Sequence, residues 1–129
     1  MAIVKKSFRS GPFKDFIAQA VQVDNVLYIS GQVGLDGQGN APDSFTAQTE
    51  IAYQNIKDVL AEFGAEMSNI VDETVFVTDM AGFMSEAGNV FKARAEAYGG
   101  EPEVTQTLIQ VVALVQENLK VEIKCVAHL

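Results

Sequence analysis

The sequence predicts an α+β fold: a six-stranded mixed sheet with two helices packed on one face. Three observations lead there. Apolar residues recur at helical three-four spacing in two segments and alternate with period two in several others. The 129 residues make one domain, spanning 1–129, that buries roughly two-thirds of the surface its unfolded chain exposes. The order reads three strands, helix, strand, helix, two strands.

The first strands are expected in "AIVKKSF", "IAQAVQV" and "NVLYISG", the last two joined by a turn at Asp24-Asn25. Ser30-Gly31 at the end of the third places a hydroxyl beside backbone that another molecule can approach closely, because glycine has no Cβ. The plainer alternative is that Gly31, Gly34, Gly37 and Gly39 only supply turn geometry. In "SFTAQTEIAYQNIKDVLAEFG", Ala52, Ile56, Val59, Leu60 and Phe63 form a helical stripe, with Asp43 or Ser44 as cap and Gly64 as terminator. "IVDETVFVTDM" alternates, with Val71, Glu73, Val75 and Val77 on one side and Asp72, Thr74, Phe76 and Thr78 on the other. A second helix starts near Ser85, puts Ala87, Val90, Phe91, Arg94 and Tyr98 on one side and stops at Gly99-Gly100. Two long strands, "TQTLIQVVALV" and "KVEIKCVAHL", follow, joined by a polar turn at Gln116-Glu117-Asn118. Two helices cover one face of such a sheet, so another subunit is the expected cover for the other.

Composition narrows the function. A net charge of -8 and only nine scattered Lys and Arg residues argue against nucleic acid or an anionic membrane as a main partner, since both recruit basic patches. No apolar run reaches membrane-spanning length, and "MAIVKKSFRSG" lacks the apolar core of a signal peptide, so a cytoplasmic location is expected. Cys125 is the one cysteine and reads as buried strand packing; His128, the one histidine, reads as a frayed, solvated ring. One of each cannot build the usual Cys/His zinc site, and no metal is expected. Asp36-Gly37-Gln38-Gly39-Asn40 has a faint calcium-loop look but lacks the later bidentate Glu.

Taken together, "IAQAV", "LYISGQVGLDGQG", "AYQNIKDVLAEFGA", "IVDETVFVTDM" and "LKVEIKCVA" resemble the YjgF/RidA family of reactive-intermediate imine deaminases over essentially the whole length. The resemblance implies a chorismate-mutase-like fold, a homotrimer with a small-molecule cleft between subunits, and hydrolysis of enamines or imines to a carbonyl compound and ammonia without cofactor. It implies that Ser30 and Gly31 line the cleft and that Glu122 handles water, with Lys124 where a second glutamate is common. Two positions depart from the family pattern. Gln106 stands where a substrate-binding arginine is usual, unless a one-residue slip puts Thr105 or Thr107 there, and Ile17 replaces an aromatic hydroxyl.

A neutral amide donates to a carboxylate without supplying charge. Lys124, two residues from Glu122 and on the same strand face, is one substitute cation and is expected to favour the ionised form of Glu122. Alternatively, Glu122 and Lys124 form a solvated ion pair, while Gln106 and Gln110 join an intersubunit hydrogen-bond network. Three functions follow: an imine or enamine hydrolase with shifted substrate preference, a non-catalytic trimeric ligand-binding or regulatory protein, and, more weakly, an endoribonuclease.

Overall fold

In the computed structural model, which describes residues 2–129, six strands form one mixed sheet in the order β1-β2-β3-β6-β4-β5. The strands are β1 (Lys6–Phe8), β2 (Ala20–Val23), β3 (Val26–Val33), β4 (Ile70–Val77), β5 (Thr105–Gln110) and β6 (Val121–His128). All neighbours run antiparallel except β4 and β5. A parallel pair needs a crossover, supplied here by α2 (Met80–Ser85) and α3 (Ala87–Tyr98). The crossover leaves β5 on the edge and sets β4 between β5 and β6, so the last two strands in sequence are not neighbours in the sheet.

Helix α1 (Phe45–Ala61) is capped as the sequence predicts: the Ser44 hydroxyl accepts from the Ala47 amide at 2.9 Å. Its buried stripe includes Ala52, Tyr53, Ile56, Val59 and Leu60. Gly64, at φ +67°, turns the chain out of it, and Gly99, at φ +80°, ends α3. Beneath these helices lie Leu27, Ile29, Val75, Val77, Val121, Ile123, Cys125 and Ala127, one face of the sheet. Full burial of one large aliphatic side chain contributes about 1.5–3 kcal/mol, so this face holds the helices down. The opposite face is open within one chain, with Tyr28 50% and Ile109 45% exposed.

Several elements differ from the sequence reading. β1 is only three residues long, and an extra short helix, α2, precedes the expected one because Asp79 caps it through the Gly82 amide at 3.1 Å. Ser30-Gly31 does not end its strand. The strand continues to Val33, and the register shifts against β6 between Ile29 and Gln32, a bulge that takes up the extra residue. A second shift, between Ile70 and Asp72, breaks the alternation of β4: Ile70 goes inward and Val71 becomes exposed, while Glu73, Val75 and Val77 stay inside. The backbone at His128 is not frayed, since it pairs with Val26 and its carbonyl accepts from Asn69 Nδ2, while the residue is exposed as expected.

Candidate functional site

The bulge in β3 builds the first half of the site. Ser30 Oγ donates to the Ala18 carbonyl at 2.7 Å, and its amide donates to the Gln19 carbonyl at 2.9 Å, so the bulge is tied to the segment that carries Ile17. Ile17 itself is half exposed in the turn leading to β2, its amide donating to the Phe13 carbonyl at 2.9 Å. Opposite the bulge lies Glu122. A Cβ built on Gly31 would stand 2.5 Å from Glu122 Oε2 and 2.7 Å from its Cδ, so only glycine leaves the carboxylate its place. The conformational freedom of glycine is not the issue there; the room is.

Glu122 alternates with the buried Val121 and Ile123, which turns it onto the open face of the sheet, with Lys124 exposed two residues on. Burial raises the Glu122 pKa above the ordinary carboxylate range, and the opposing pull of Lys124 does not cancel it. The expectation that Lys124 dominates is therefore reversed: half-burial costs the carboxylate more than an exposed ammonium restores.

Gln106 lies on the other side of the sheet. It pairs in register with Glu73, and its Nε2 donates to Glu73 Oε2 at 2.9 Å. Glu73 is fully buried beneath the helices and gathers a whole cluster. Tyr53 OH from α1 stands 3.1 Å from both carboxylate oxygens, Tyr98 OH from α3 donates to Oε1 at 2.6 Å, and Arg94 Nε from α3 donates to Oε2 at 3.2 Å. Burial, then the neighbouring carboxylate charge, pushes the Tyr53 and Tyr98 phenols well up, so both remain donors. The Cys125 thiol, paired with Glu73 across β4 and β6, is likewise pushed up by burial and then by that charge.

Gln110, the other expected network member, accepts from the Met80 amide through Oε1 at 2.7 Å. Both glutamines thus make bonds within one chain. Thr105 Oγ1 donates to Asp72 Oδ1 at 2.7 Å, and Thr107, in register with Thr74, is exposed. One chain therefore brings Ser30, Gly31, Glu122 and Lys124 together and holds Gln106 away from them, across the sheet. The Glu73 cluster was not singled out from sequence, although a signal existed: a charged residue stood on the apolar side of the β4 alternation, and Arg94 and Tyr98 stood on the apolar side of the second helix.

A cleft of about 480 Å³ within the chain is lined by Gln19, Gln32, Leu35, Asn55 and others, but not by Glu122. The Asp36 loop spends its carboxylate internally, Oδ1 accepting from the amides of Gln38 and Asn40. Among the described residues no group of three His, Cys, Asp or Glu side chains is placed to hold a metal ion, and no helix is long and apolar enough to cross a membrane.

Comparison with known proteins adds an independent line. A family profile described as Endoribonuclease L-PSP matches residues 10–129. The chain is 34% identical over 119 residues to the 2-iminobutanoate/2-iminopropanoate deaminase of Mus musculus, spanning 91% of this chain and 81% of that protein. It is 31% identical over 121 residues to Reactive Intermediate Deaminase A, chloroplastic, of Arabidopsis thaliana, spanning 92% of this chain and 59% of that longer protein. Among solved structures, RidA from an Antarctic Psychrobacter superposes with a TM-score of 0.78 at 28% identity, covering 100% of this chain and 99% of that one. A YjgF/YER057c/UK114 member from Mycobacterium tuberculosis superposes with a TM-score of 0.81 at 25% identity, covering 98% and 100%.

Proposed function

The chain belongs to the Endoribonuclease L-PSP family, the YjgF/RidA proteins with their chorismate-mutase-like α+β fold, and from that premise we propose that it is a RidA-like, cofactor-independent hydrolase of small imines and enamines. The observation that carries this reading is the half-buried Glu122 carboxylate seated against a glycine on the open face of the sheet. In the reaction, water adds to the C=N carbon. Starting from the protonated imine, Glu122 takes a proton from that water as the new C–O bond forms and the C=N π pair moves onto nitrogen, and it then returns that proton to the nitrogen to give a protonated carbinolamine. The Glu122 carboxylate next accepts the hydroxyl proton as the C=O bond forms and the C–N pair leaves with nitrogen, giving a carbonyl compound and ammonia, which takes up the proton from Glu122. A carboxylate whose pKa is raised by burial suits a group that must both take and return a proton.

Gln106 and Glu122 lie on opposite faces, so one chain does not present both to one ligand. In the proposed homotrimer, whose sheets cover one another's open faces, the Glu122 side lies at the boundary between subunits. In this reading Ser30, Gly31, Ile17 and Lys124 line the Glu122 side. Substrate preference is shifted from that of the deaminases because a neutral amide stands at the aligned arginine position.

The engagement of Gln106 with Glu73 favours a second reading, a trimer that binds a small ligand without turnover. RNA cleavage is the weakest, given the net charge of -8. The test is ammonia release from freshly generated 2-iminopropanoate and 2-iminobutanoate, beside thermal shifts with keto acids and amides and an RNA-cleavage assay at several salt concentrations. Ammonia release above the spontaneous rate is expected; a thermal shift with no such release supports the second reading, and salt-sensitive RNA cleavage alone the third.

A further inference from the structure

The cleft of about 480 Å³ on the helix-covered side has the size of a small-molecule site and no role in the reading above. It runs between the last two turns of α1, strand β1 and the loop after β3, with Phe8, Pro12, Leu35 and Val59 as apolar walls. Gln32 lines it and is only 8% exposed. Its neighbours fix which way its amide points. Gln19 Nε2 donates to the Ser10 carbonyl at 3.2 Å, which turns Gln19 Oε1 to accept from Gln32 Nε2 at 2.9 Å, and that nitrogen also donates to the Ser30 carbonyl at 3.1 Å. The donors of Gln32 are therefore spent, while its Oε1 accepts from no group among the described residues. Since no fully enclosed side-chain oxygen lacks a partner, this one opens to the cleft that its side chain lines. Asn55 repeats the pattern: Nδ2 donates to the carbonyls of Val33 at 2.9 Å and Leu35 at 3.0 Å, and Oδ1 meets no donor among the described residues. Asp58 and Glu62, further along the same stripe of α1, add two exposed carboxylates at the rim, Asp58 Oδ1 accepting from Gln54 Nε2 at 3.0 Å. Among the described residues no lysine or arginine lines the cleft, and the last turn of α1 brings the negative end of its dipole there.

We propose that this cleft binds a small organic amine in its ammonium form, the charged end meeting the Gln32 and Asn55 side-chain oxygens and the apolar body lying against Phe8, Leu35 and Val59. An ammonium carries three donors and no acceptor, the complement of two amide oxygens whose own nitrogens are occupied. The rim carboxylates and the end of α1 favour positive charge there, whereas a carboxylate-bearing ligand meets like charge. The apolar walls call for a body beside the charge and disfavour a bare metal ion, which takes oxygen ligands all round. Gln32 separates a site from a merely acidic surface. An acceptor at that depth costs free energy unless a donor reaches it, so an ammonium entering the cleft gains a bond that surface carboxylates alone do not offer. The inference stands apart from the hydrolase reading, because the cleft lies on the α1 side of the sheet and Glu122 on the other.

The probe is 2-phenylethylamine, titrated into the full-length protein at neutral pH and followed by calorimetry and by the side-chain amide resonances of Gln32 and Asn55 in isotope-labelled protein. Three controls dissect it: 2-phenylethanol keeps the body without the charge, 3-phenylpropanoate reverses the charge, and methylamine keeps the charge without the body. The amine should bind with a Kd of about 1 mM or tighter and shift both amide resonances. Each control should bind at least about fivefold more weakly. Asp58→Asn combined with Glu62→Gln preserves shape at two exposed positions and should weaken the amine about fivefold. The same loss of charge at Glu101→Gln combined with Glu103→Gln, exposed ahead of β5, should leave binding unchanged. No binding of 2-phenylethylamine, equal binding of any control, equal weakening by the two pairs of substitutions, or shifts centred on Lys124 of the open face instead of Gln32 and Asn55 would overturn the proposal.

Discussion

Glu122 and Gly31 act as one unit at the scale of single residues. Glu122→Gln keeps the shape and most hydrogen bonding but removes basicity, so turnover should fall about a hundredfold or more while the melting temperature barely changes. Gly31→Ala should do similar damage by another route. Its methyl group would arrive 2.5 Å from Glu122 Oε2, the movable end of a side chain, so the fold adjusts and the carboxylate is displaced. A loss on the order of a hundredfold in turnover is expected, with little change in thermal stability. The pH profile carries the sign of the Glu122 shift. A base must be ionised to act, so activity should fall on the acid side with an apparent pKa above the ordinary carboxylate value of about 4.3. Lys124→Ala removes the one opposing charge and should move that limb further up; a limb that stays put or moves down would show that the two do not interact. That Glu122 and Lys124 share one face of the last strand was legible in its alternation, but the bulge at Gly31 and the dominance of burial over Lys124 were not, because depth in the sheet depends on neighbours far along the chain.

Among elements, the contact between the starts of α1 and α3 is the most testable. Glu86, the residue before α3, accepts from Thr46 Oγ1 at 2.7 Å and from the amides of Phe45 and Thr46 at 3.2 Å each, covering free donors at the first turn of α1. The Thr46 hydroxyl chiefly, then these amides, hold the Glu86 pKa below its ordinary value. A depressed carboxylate adds stability above its unfolded pKa and loses it as pH falls through the folded value. Glu86→Gln should therefore lower stability near neutral pH by a few tenths of a kcal/mol, about what a solvent-screened surface interaction contributes, and the gap in melting temperature should close as the pH drops below about 4. A gap that persists in acid would assign the effect to packing. Helix periodicity, the Ser44 cap and the stops at Gly64 and Gly99 were readable because each is a local signal. The two bulges, the added helix α2 and the placement of β4 between β5 and β6 were not, since a register shift or a crossover is set by partners distant in sequence.

For the whole molecule, the sheet has one covered face and one open face, and the catalytic candidate lies on the open one. The apolar strand positions that helices do not reach, such as Tyr28 and Ile109, motivate the trimer. The proposal of one domain over 1–129 rests on all six strands joining one sheet. What sequence could not supply was that the Gln106 and Glu122 positions face opposite ways, because that follows from the pairing of β5 with β4 and of β6 with both β3 and β4. The most direct test of the whole account is ammonia release from freshly generated 2-iminopropanoate and 2-iminobutanoate, assayed across the size-exclusion peak with light scattering in line. The account predicts release above the spontaneous rate that tracks a species of about three times the 13.9 kDa chain mass. A monomer at micromolar concentration, or a trimer that leaves the spontaneous rate of both imines unchanged, would contradict it.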